Sequence, residues 1–477
     1  MKNKFITTVC PWIVFASFII ITVYYIIANA QWLIGDDAIV ISHTGIGKPF
    51  LCKDTIWPEA GRFFPFTYMM YNVLLIFFDS YISPLVHYIF HGICFVFSLF
   101  LMLKSLMVVQ KNENKRSLVF WISIVGAIFI GARVYSGYIN CFSTVWFDTL
   151  IQILILFSVL NFYVGKKWLY FILTLLFINY QCYTSEVGFI LPLSWGICGF
   201  LLRKDCIDKK ERFLYYGMIL SAIIFLLIYF FVVFINIEEM YDSSHGSGVI
   251  MLDNAFQMLF AQKFLWVALL LFCVRFYDII WRKNKFTIYD LLLLVAAAHC
   301  CGGFILKLNW ILYYNKAIIY SLPAVIYFSN YYLKPKWTLL MILCFAIFYS
   351  AKIPNMIKQN KENRIDSFTF VNTLADKIKD GEDVYWYEPL PVNNDLFEND
   401  QRDWIQQATE KYLWYILKNP TFKFRTITEH NGETGYILIS NKNNILAPNA
   451  NEIIISNGEY VMSQKERGLQ LYKMSIQ

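Results

Sequence analysis

Two adjacent carboxylates, Asp36 and Asp37, are the residues whose types and spacing most directly suggest chemistry. They follow the first long apolar run, in the sequence Gly35-Asp36-Asp37-Ala38-Ile39. One carboxylate can take a proton from a hydroxyl group, while its neighbour raises the pKa of that base by like-charge repulsion. The pair could also hold a divalent cation such as Mg²⁺ or Mn²⁺, with Asp37 as the candidate ligand. The structural alternative is a helix N-cap, for which Asp is well suited.

The same segment, predicted to be a first outside loop over about residues 31–83, also contains Arg62 in the run Gly61-Arg62-Phe63-Phe64-Pro65. A guanidinium group can bind a phosphate with two parallel hydrogen bonds. The alternative is an ion pair with Glu59, three residues earlier. The following stretch, 66–79, is amphipathic and is predicted to lie in the membrane interface.

Two later segments add candidates. Glu186 lies in a turn between two short apolar runs, where it could bind an acceptor or share a metal; the alternative is a capping residue in the first helical turn. Residues 307–316 combine cations with tyrosines, which can neutralise and hydrogen-bond a phosphate leaving group. The alternative there is anchoring in the aromatic belt of a membrane. The candidate phosphate ligands in this segment are Lys307, Tyr313, Tyr314 and Lys316.

The elements that must position these residues are membrane helices. The chain has 477 residues, of which 58% are hydrophobic and only 16% are charged, whereas soluble domains are about a quarter charged. Many apolar runs approach the ~20 residues that cross a bilayer as a helix. The net charge of +7 is carried mainly between these runs, so it indicates membrane topology and no nucleic-acid partner.

Hydropathy predicts eleven membrane helices with the N-terminus inside. The inside loops then hold 17 Lys and Arg residues and the outside loops hold 7, which fits the positive-inside rule. Arg133 and Asp148, near outside helix ends, are predicted to form an ion pair. The predicted helices are 5–30, 84–109, 118–138, 142–164, 168–182, 187–202, 213–236, 264–281, 288–306, 317–333 and 337–351.

From residue 352 the composition becomes polar, and an odd number of helices places this segment outside. Helical patterns alternate there with strand-like runs, which predicts a small α/β domain. The predicted fold is an α-helical polytopic membrane protein, with a transmembrane catalytic domain over 1–351 and a soluble periplasmic α/β domain over 352–477. The expected helices are 366–379 and 401–417, and the expected strands are 383–388, 421–428, 435–440, 452–456 and 468–474.

An acidic pair directly after the first helix, in a long outside loop, resembles the GT-C superfamily of polyprenyl-phosphate-sugar glycosyltransferases. Asp-Asp-Ala-Ile followed by Gly-Arg-Phe-Phe-Pro is similar to the serotype-converting O-antigen glucosyltransferases of bacteria. The resemblance implies a GT-C-like fold in the inner membrane, with Asp36 or Asp37 as the catalytic base and Glu186 assisting. It implies a polyprenyl-phosphate-linked sugar donor, with glucose as the sugar, and a lipid-linked glycan or growing lipopolysaccharide O-antigen as the acceptor.

Two other functions remain open at this stage. A lipid-linked oligosaccharide flippase should carry charged residues deep within its helices, whereas this chain concentrates carboxylates in outside loops. An O-antigen polymerase should have a large central outside loop, whereas the largest outside segment here is terminal. The sequence therefore favours the transferase.

Overall fold

The computed structural model describes residues 9–28, 30–34, 56–58, 62–67, 69, 83–111, 116–136, 145–184, 187–203, 208–236, 248–306, 314–387, 399–427, 434–440, 458–465 and 468–474. Within these ranges the chain is mainly helical, with one small mixed sheet near the C-terminus.

Twelve helices in the described residues form the apolar bundle, because their sequences are predominantly apolar. All eleven predicted segments are helical, and one further helix, α8, was not predicted. The helices are α1 Cys10–Ala28, α2 Pro84–Val109, α3 Arg116–Ser136, α4 Val145–Gly165, α5 Trp168–Cys182, α6 Ile190–Leu202, α7 Lys209–Tyr229 (continued by a π-helical turn, Phe230–Phe234), α8 Gly248–Phe260, α9 Lys263–Ile280, α10 Ile288–Ile305, α11 Asn315–Tyr332 and α12 Pro335–Ser350.

Seven helical segments in the described ranges are long and apolar enough to cross a membrane. α8 and α9 meet at a bend of 79° and would add an eighth span if they were counted together. The pair α5 and α6 is apolar, but each helix is shorter than those seven segments. The polytopic membrane character is thereby confirmed, whereas the count of eleven spans stays a prediction.

Close helix packing in the bundle depends on small residues where two backbones approach. Gly199 of α6 faces α7, and a Cβ atom there would lie 2.4 Å from the Tyr215 ring. Other tight pairs are α3 with α12, α2 with α4, and α10 with α11.

One end of the bundle, where α1 ends and α2 begins, is called the first-loop end. At the opposite end the buried charges of the described residues are paired. Glu211 accepts from Arg203 at 3.2 Å and contacts Lys166, and Arg275 donates to Asp290 at 2.7 Å. Burying a charge costs free energy unless the charge is paired, so breaking these ion pairs would destabilise the contacts between the helix ends.

The C-terminal segment folds as α13 Ile353–Lys379, β3 Val384–Tyr387, α14 Asn399–Leu417, β4 Arg425–Ile427, β5 Gly435–Ser440, β6 Glu459–Gln464 and β7 Leu469–Met474. The strand order is β4-β3-β5-β7-β6, in which β3 is parallel to β4 and β5, while β7 is antiparallel to β5 and β6. The expected α/β character is confirmed.

Several predicted boundaries in this segment differ from the structure. α13 begins at Ile353, much earlier than predicted, because Pro354 fits the first turn of a helix and an apolar stripe continues back to that turn. Strand β6 was not predicted, whereas the run 452–456 lies outside the described residues. The run 421–428 forms a strand only over Arg425–Ile427.

The core of the C-terminal segment includes two residues from the start of the chain. Trp32 and Ile34, only 2% and 0% exposed, belong to the same buried cluster as Phe370, Trp386 and Tyr412. The residues that follow α1 are therefore part of this core. The domain boundary at residue 351 stays a prediction.

A short antiparallel pair completes the first loop as far as it is described. β1 Ile56–Trp57 pairs with β2 Arg62–Phe63, with Trp57 opposite Arg62. This hairpin fixes the entry of the following segment, 63–67, into the bundle.

Candidate functional site

The predicted site residues divide into those that the structure describes and those that it does not. Tyr314 and Lys316 are described with their side chains, and Arg62 is described by its backbone in β2. The remaining predicted residues lie outside the described ranges: Asp36, Asp37, Glu186, Lys307 and Tyr313.

Lys316 forms an ion pair with Asp148. Its Nζ atom lies 3.7 Å from Asp148 Oδ1, and the two side chains are 9% and 25% exposed. Lys316 is in the first turn of α11, and Asp148 is in the first turn of α4, where a carboxylate is favoured by the helix dipole. A desolvated ammonium is thus held beside one carboxylate at the first-loop end.

Hydroxyl and amide groups surround this pair. Tyr180 and Tyr320 both lie near enough to Asp148 to interact with its charge. The Tyr320 hydroxyl donates to Gln152 Oε1 at 2.6 Å, one turn further along α4 from Asp148. Cys182 is close enough to Lys316 to interact with its charge. The ends of α4, α5 and α11 therefore meet at one polar centre.

The segment after Arg62 packs directly against this centre. The Phe66 N–H donates to the Tyr183 carbonyl at 3.0 Å, and the Tyr180 hydroxyl donates to the Phe66 carbonyl at 3.1 Å. The Thr67 hydroxyl donates to the Thr184 carbonyl at 2.8 Å. Backbone groups of the first loop are thus bonded to the turn that leads into Ser185 and Glu186.

Aromatic contacts reinforce this attachment. The Phe66 ring stacks on Tyr180 with centroids 5.6 Å apart and lies 5.3 Å from Tyr183. Phe63 contacts Tyr183 and Phe225, each at 6.3 Å. Burial, with a smaller effect of Cys182, raises the pKa of the Tyr183 hydroxyl, so that group stays protonated. Phe63 of the Arg62-Phe63-Phe64-Pro65 run, and Phe66 just after it, therefore dock the loop.

Gly188 lies in close contact with the backbone at the end of α5. A Cβ atom on Gly188 would lie 2.2 Å from the Gln181 carbonyl oxygen and 3.0 Å from the Cys182 Cα. Real Cβ atoms do not approach backbone this closely, so this position requires glycine for the turn to close.

The start of the first loop is fixed at a second place. The Tyr88 hydroxyl donates to the Gln31 carbonyl at 3.0 Å, and the Trp32 ring lies 5.2 Å from His87. The Arg364 guanidinium of α13 sits 4.7 Å above the Tyr88 ring. The residues that precede the Asp36-Asp37 pair are therefore held between α2 and the C-terminal domain.

Tyr314 has a structural contact that the sequence did not predict. It is fully buried, and its hydroxyl donates to the Ala255 carbonyl of α8 at 3.3 Å. Burial, together with Cys300, raises the pKa of Tyr314 to about 12, which keeps the hydroxyl protonated as a donor. Its predicted contact with a phosphate stays a prediction.

The predicted ion pair between Arg133 and Asp148 is wrong, because Asp148 pairs with Lys316 instead. Arg133 donates to Gln262 Oε1 at 2.5 Å and lies 5.2 Å from the centre of the Tyr349 ring. Their sequence positions did not reveal that α11, which carries Lys316, packs against α4.

No group of three or more potential metal ligands occurs among the described residues. Asp148 is the carboxylate described at the polar centre, and the Lys316 ammonium already balances its charge. The donor set for the predicted Mg²⁺ or Mn²⁺ would have to come mainly from Asp37 and Glu186.

Sequence reasoning identified Lys316 but missed the partner that fixes it. Asp148 follows an apolar-aromatic run, Val145-Trp146-Phe147, and reads as an ordinary first-turn carboxylate. A usable signal was present, since Asp148 and Lys316 both lie in the first turn of helices that begin at the first-loop end and have opposite charges.

Comparison with known proteins leaves the family open. No family model matches the sequence, and no curated protein sequence matches it. Among solved structures, the chain is similar to ArnT from Cupriavidus metallidurans in the apo state, with a TM-score of 0.49 and 10% sequence identity. The alignment covers 97% of this chain and 97% of that chain.

Proposed function

We propose that this protein is an inverting glycosyltransferase of the inner membrane that uses a polyprenyl-phosphate-linked sugar on the periplasmic face. The observation that carries the proposal is the attachment of the first loop to the polar centre of Asp148 and Lys316. Phe66 and Thr67, which follow the predicted acidic pair and Arg62 in the loop, bond to the turn before Glu186. Arg62 precedes Phe66 closely in the sequence, Glu186 follows Thr184 closely, and Lys316 is part of the centre itself, which supports a shared site.

In the proposed reaction, Asp36 or Asp37 takes the proton of an acceptor hydroxyl. The acceptor oxygen attacks the anomeric carbon and forms the new glycosidic bond. The bond between that carbon and the phosphate oxygen breaks, and the lipid phosphate leaves with the electron pair. Direct displacement inverts the anomeric configuration.

Lys316 is the described residue best placed to receive the leaving phosphate. A lysine ammonium has three donors, and the 3.7 Å separation from Asp148 is longer than a charge-assisted hydrogen bond. Low exposure strengthens its attraction for an anion, because less water screens the charge. Arg62, Lys307, Tyr313 and Tyr314 complete the proposed phosphate set, and a divalent cation held by Asp37 would add charge neutralisation.

The location of buried charge favours an enzyme over a flippase. In the described bundle helices, buried charged side chains such as Arg133, Glu211 and Asp290 lie within two turns of a helix end. A transporter is expected to place such groups near the bilayer midplane. Glucose as the sugar, and a lipid-linked glycan or O-antigen as the acceptor, are the specific form of the proposal.

The test is sugar transfer by the purified full-length protein in liposomes, with a panel of polyprenyl-phosphate sugars and a native polysaccharide acceptor. Asp36→Asn and Asp37→Asn are compared with wild type, and Asp54→Asn, in the same loop, is the matched control. Loss of transfer in one of the first two variants, with retained folding and an active control, supports the proposal and identifies the base. If no donor is used while lipid-linked glycan crosses the bilayer, the flippase function replaces it.

A further inference from the structure

A second cationic site lies at the corner where α8 meets α9, apart from the Asp148–Lys316 centre. Three cations from three elements meet there: Arg133 at the end of α3, Lys263 at the start of α9, and Lys352 just after α12. Both Arg133 and Lys263 are close enough to repel the Lys352 ammonium electrostatically.

Aromatic rings hold these cations together. Lys263 and Lys352 lie over the Phe348 ring at 5.1 and 4.6 Å, and Lys352 and Arg133 lie 5.4 and 5.2 Å from the centre of the Tyr349 ring. Cation–π contacts orient ammonium groups but leave their net charge in place.

The two lysines of this corner differ from the cations at the opposite end of the bundle in their described surroundings. Among the described residues, no Asp or Glu lies within salt-bridge distance of Lys263 or Lys352. At the opposite end of the bundle, each buried cluster contains its own carboxylates. The corner thus concentrates positive charge where an anion would relieve repulsion.

The same corner is built to contact lipid. The 79° bend turns α8 sideways relative to α9, and α8 has exposed apolar residues along one face. Phe256, Phe260 and Trp266 are 54%, 57% and 45% exposed and contact one another in series, at 5.9 and 5.1 Å. Exposed aromatics at the end of membrane helices are typical of the bilayer interface.

An apolar cleft of about 360 Å³ opens beside the cations, lined by Phe260, Ala261, Lys263 and Trp266. The cleft extends from the Lys263 side chain to the exposed rings of Phe260 and Trp266. A ligand that fits both parts has an anionic head and a hydrocarbon chain.

We propose that the corner formed by Arg133, Lys263 and Lys352 binds the phosphate of an anionic membrane phospholipid, with an acyl chain in the cleft beside Trp266. The site is separate from sugar transfer and does not depend on it. Because Tyr314 bonds α8 to the start of α11, a lipid bound here would also brace the helix that carries Lys316.

The test measures lipids retained by purified full-length protein, with native mass spectrometry after reconstitution in phosphatidylcholine containing phosphatidylglycerol. Lys263→Gln/Lys352→Gln is compared with wild type; both lysines are exposed, so the change does not disturb a core. Lys336→Gln is the matched control, because Lys336 is an exposed lysine 5.2 Å from the Trp337 ring at the other end of α12.

We expect wild type and the control to retain one phosphatidylglycerol that the double variant loses, with affinity about 30-fold lower in the variant. Phosphatidylglycerol should raise the unfolding temperature of wild type, and inorganic phosphate at the same concentration should not. Stabilisation by phosphate alone that needs both lysines would support the anion site but assign it to a free phosphate. Equal retention of phosphatidylglycerol by wild type and the double variant would overturn the proposal.

Discussion

Replacing Trp32 by alanine tests whether the start of the first loop is a part of the C-terminal core. The Trp32 side chain is 2% exposed and lies among Phe370, Trp386 and Tyr412, although it follows α1 in sequence. The change to alanine removes the indole ring from a packed interior, and the neighbouring side chains cannot fill the space that it leaves.

The expected cost is about 3–5 kcal/mol, the range for large aromatic to alanine changes in cores. Domains have a free energy of unfolding of about 5–15 kcal/mol, so the loss is a large share of the stability of this core. Since ~1.4 kcal/mol is a tenfold change in equilibrium, the open state should become about 10²–10³·⁵ times more populated.

Hydrogen exchange followed by mass spectrometry measures this change in the full-length protein. Amides of α13 and α14 should lose protection by that factor, together with residues 30–34. Trp281→Ala is the control, because Trp281 is 66% exposed at the far end of the bundle and should leave α13 and α14 unchanged.

The segments that lose protection show whether Trp32 belongs to the core of the C-terminal domain. If residues 30–34 lose protection in Trp32→Ala while α13 and α14 keep wild-type exchange, then the tryptophan rests on the domain without belonging to its core. In that case the C-terminal domain does not position the first loop.

Two further predictions concern the polar centre. Asp148→Asn should lower the unfolding temperature, because it removes the carboxylate 3.7 Å from the poorly exposed Lys316 ammonium. The double variant with Lys316→Gln should regain stability but lose sugar transfer, and additive stability losses in thermal unfolding would contradict the pairing. Gly188→Ala should destabilise the protein by about 1–3 kcal/mol and reduce sugar transfer, because its Cβ would lie 2.2 Å from the Gln181 carbonyl oxygen. Gly165→Ala is the control and should have a mild effect, because the nearest atom to its Cβ would be 3.8 Å away. Equal effects of the two variants on unfolding temperature and activity would contradict the steric explanation.

The helices of the bundle were predictable from sequence because their apolar runs are long and contain few charges. Each of the eleven predicted segments is helical, although the ends differ by several residues. α8 escaped prediction because Asp253, Asn254 and Gln257 interrupt its hydropathy, and because a helix that lies sideways needs only one apolar face. Hydropathy averaged over a span cannot detect such an element.

The candidate site was predictable in its residue types but not in its pairings. Lys316 was chosen because a basic residue near an outside helix end can contact phosphate, and Asp148 was assigned to Arg133 by the same positional reasoning. The actual pairing depends on which helices are neighbours, and α4 meets α11 through contacts 168 residues apart, such as Tyr320 with Gln152. Such long-range neighbours leave no periodic signal in one sequence.

Both attachments of the first loop follow from this packing, and together they support the segment that holds the catalytic base in the proposed function. Before the acidic pair, Trp32 and Ile34 are buried in the C-terminal core. After it, Phe66 and Thr67 bond to the backbone of the turn before Glu186. Positioning of a base within a fraction of an ångström requires rigid support on both sides of it. The C-terminal domain therefore supports catalysis in the proposed function even if it never touches the donor, and its loss should lower kcat more than it raises KM.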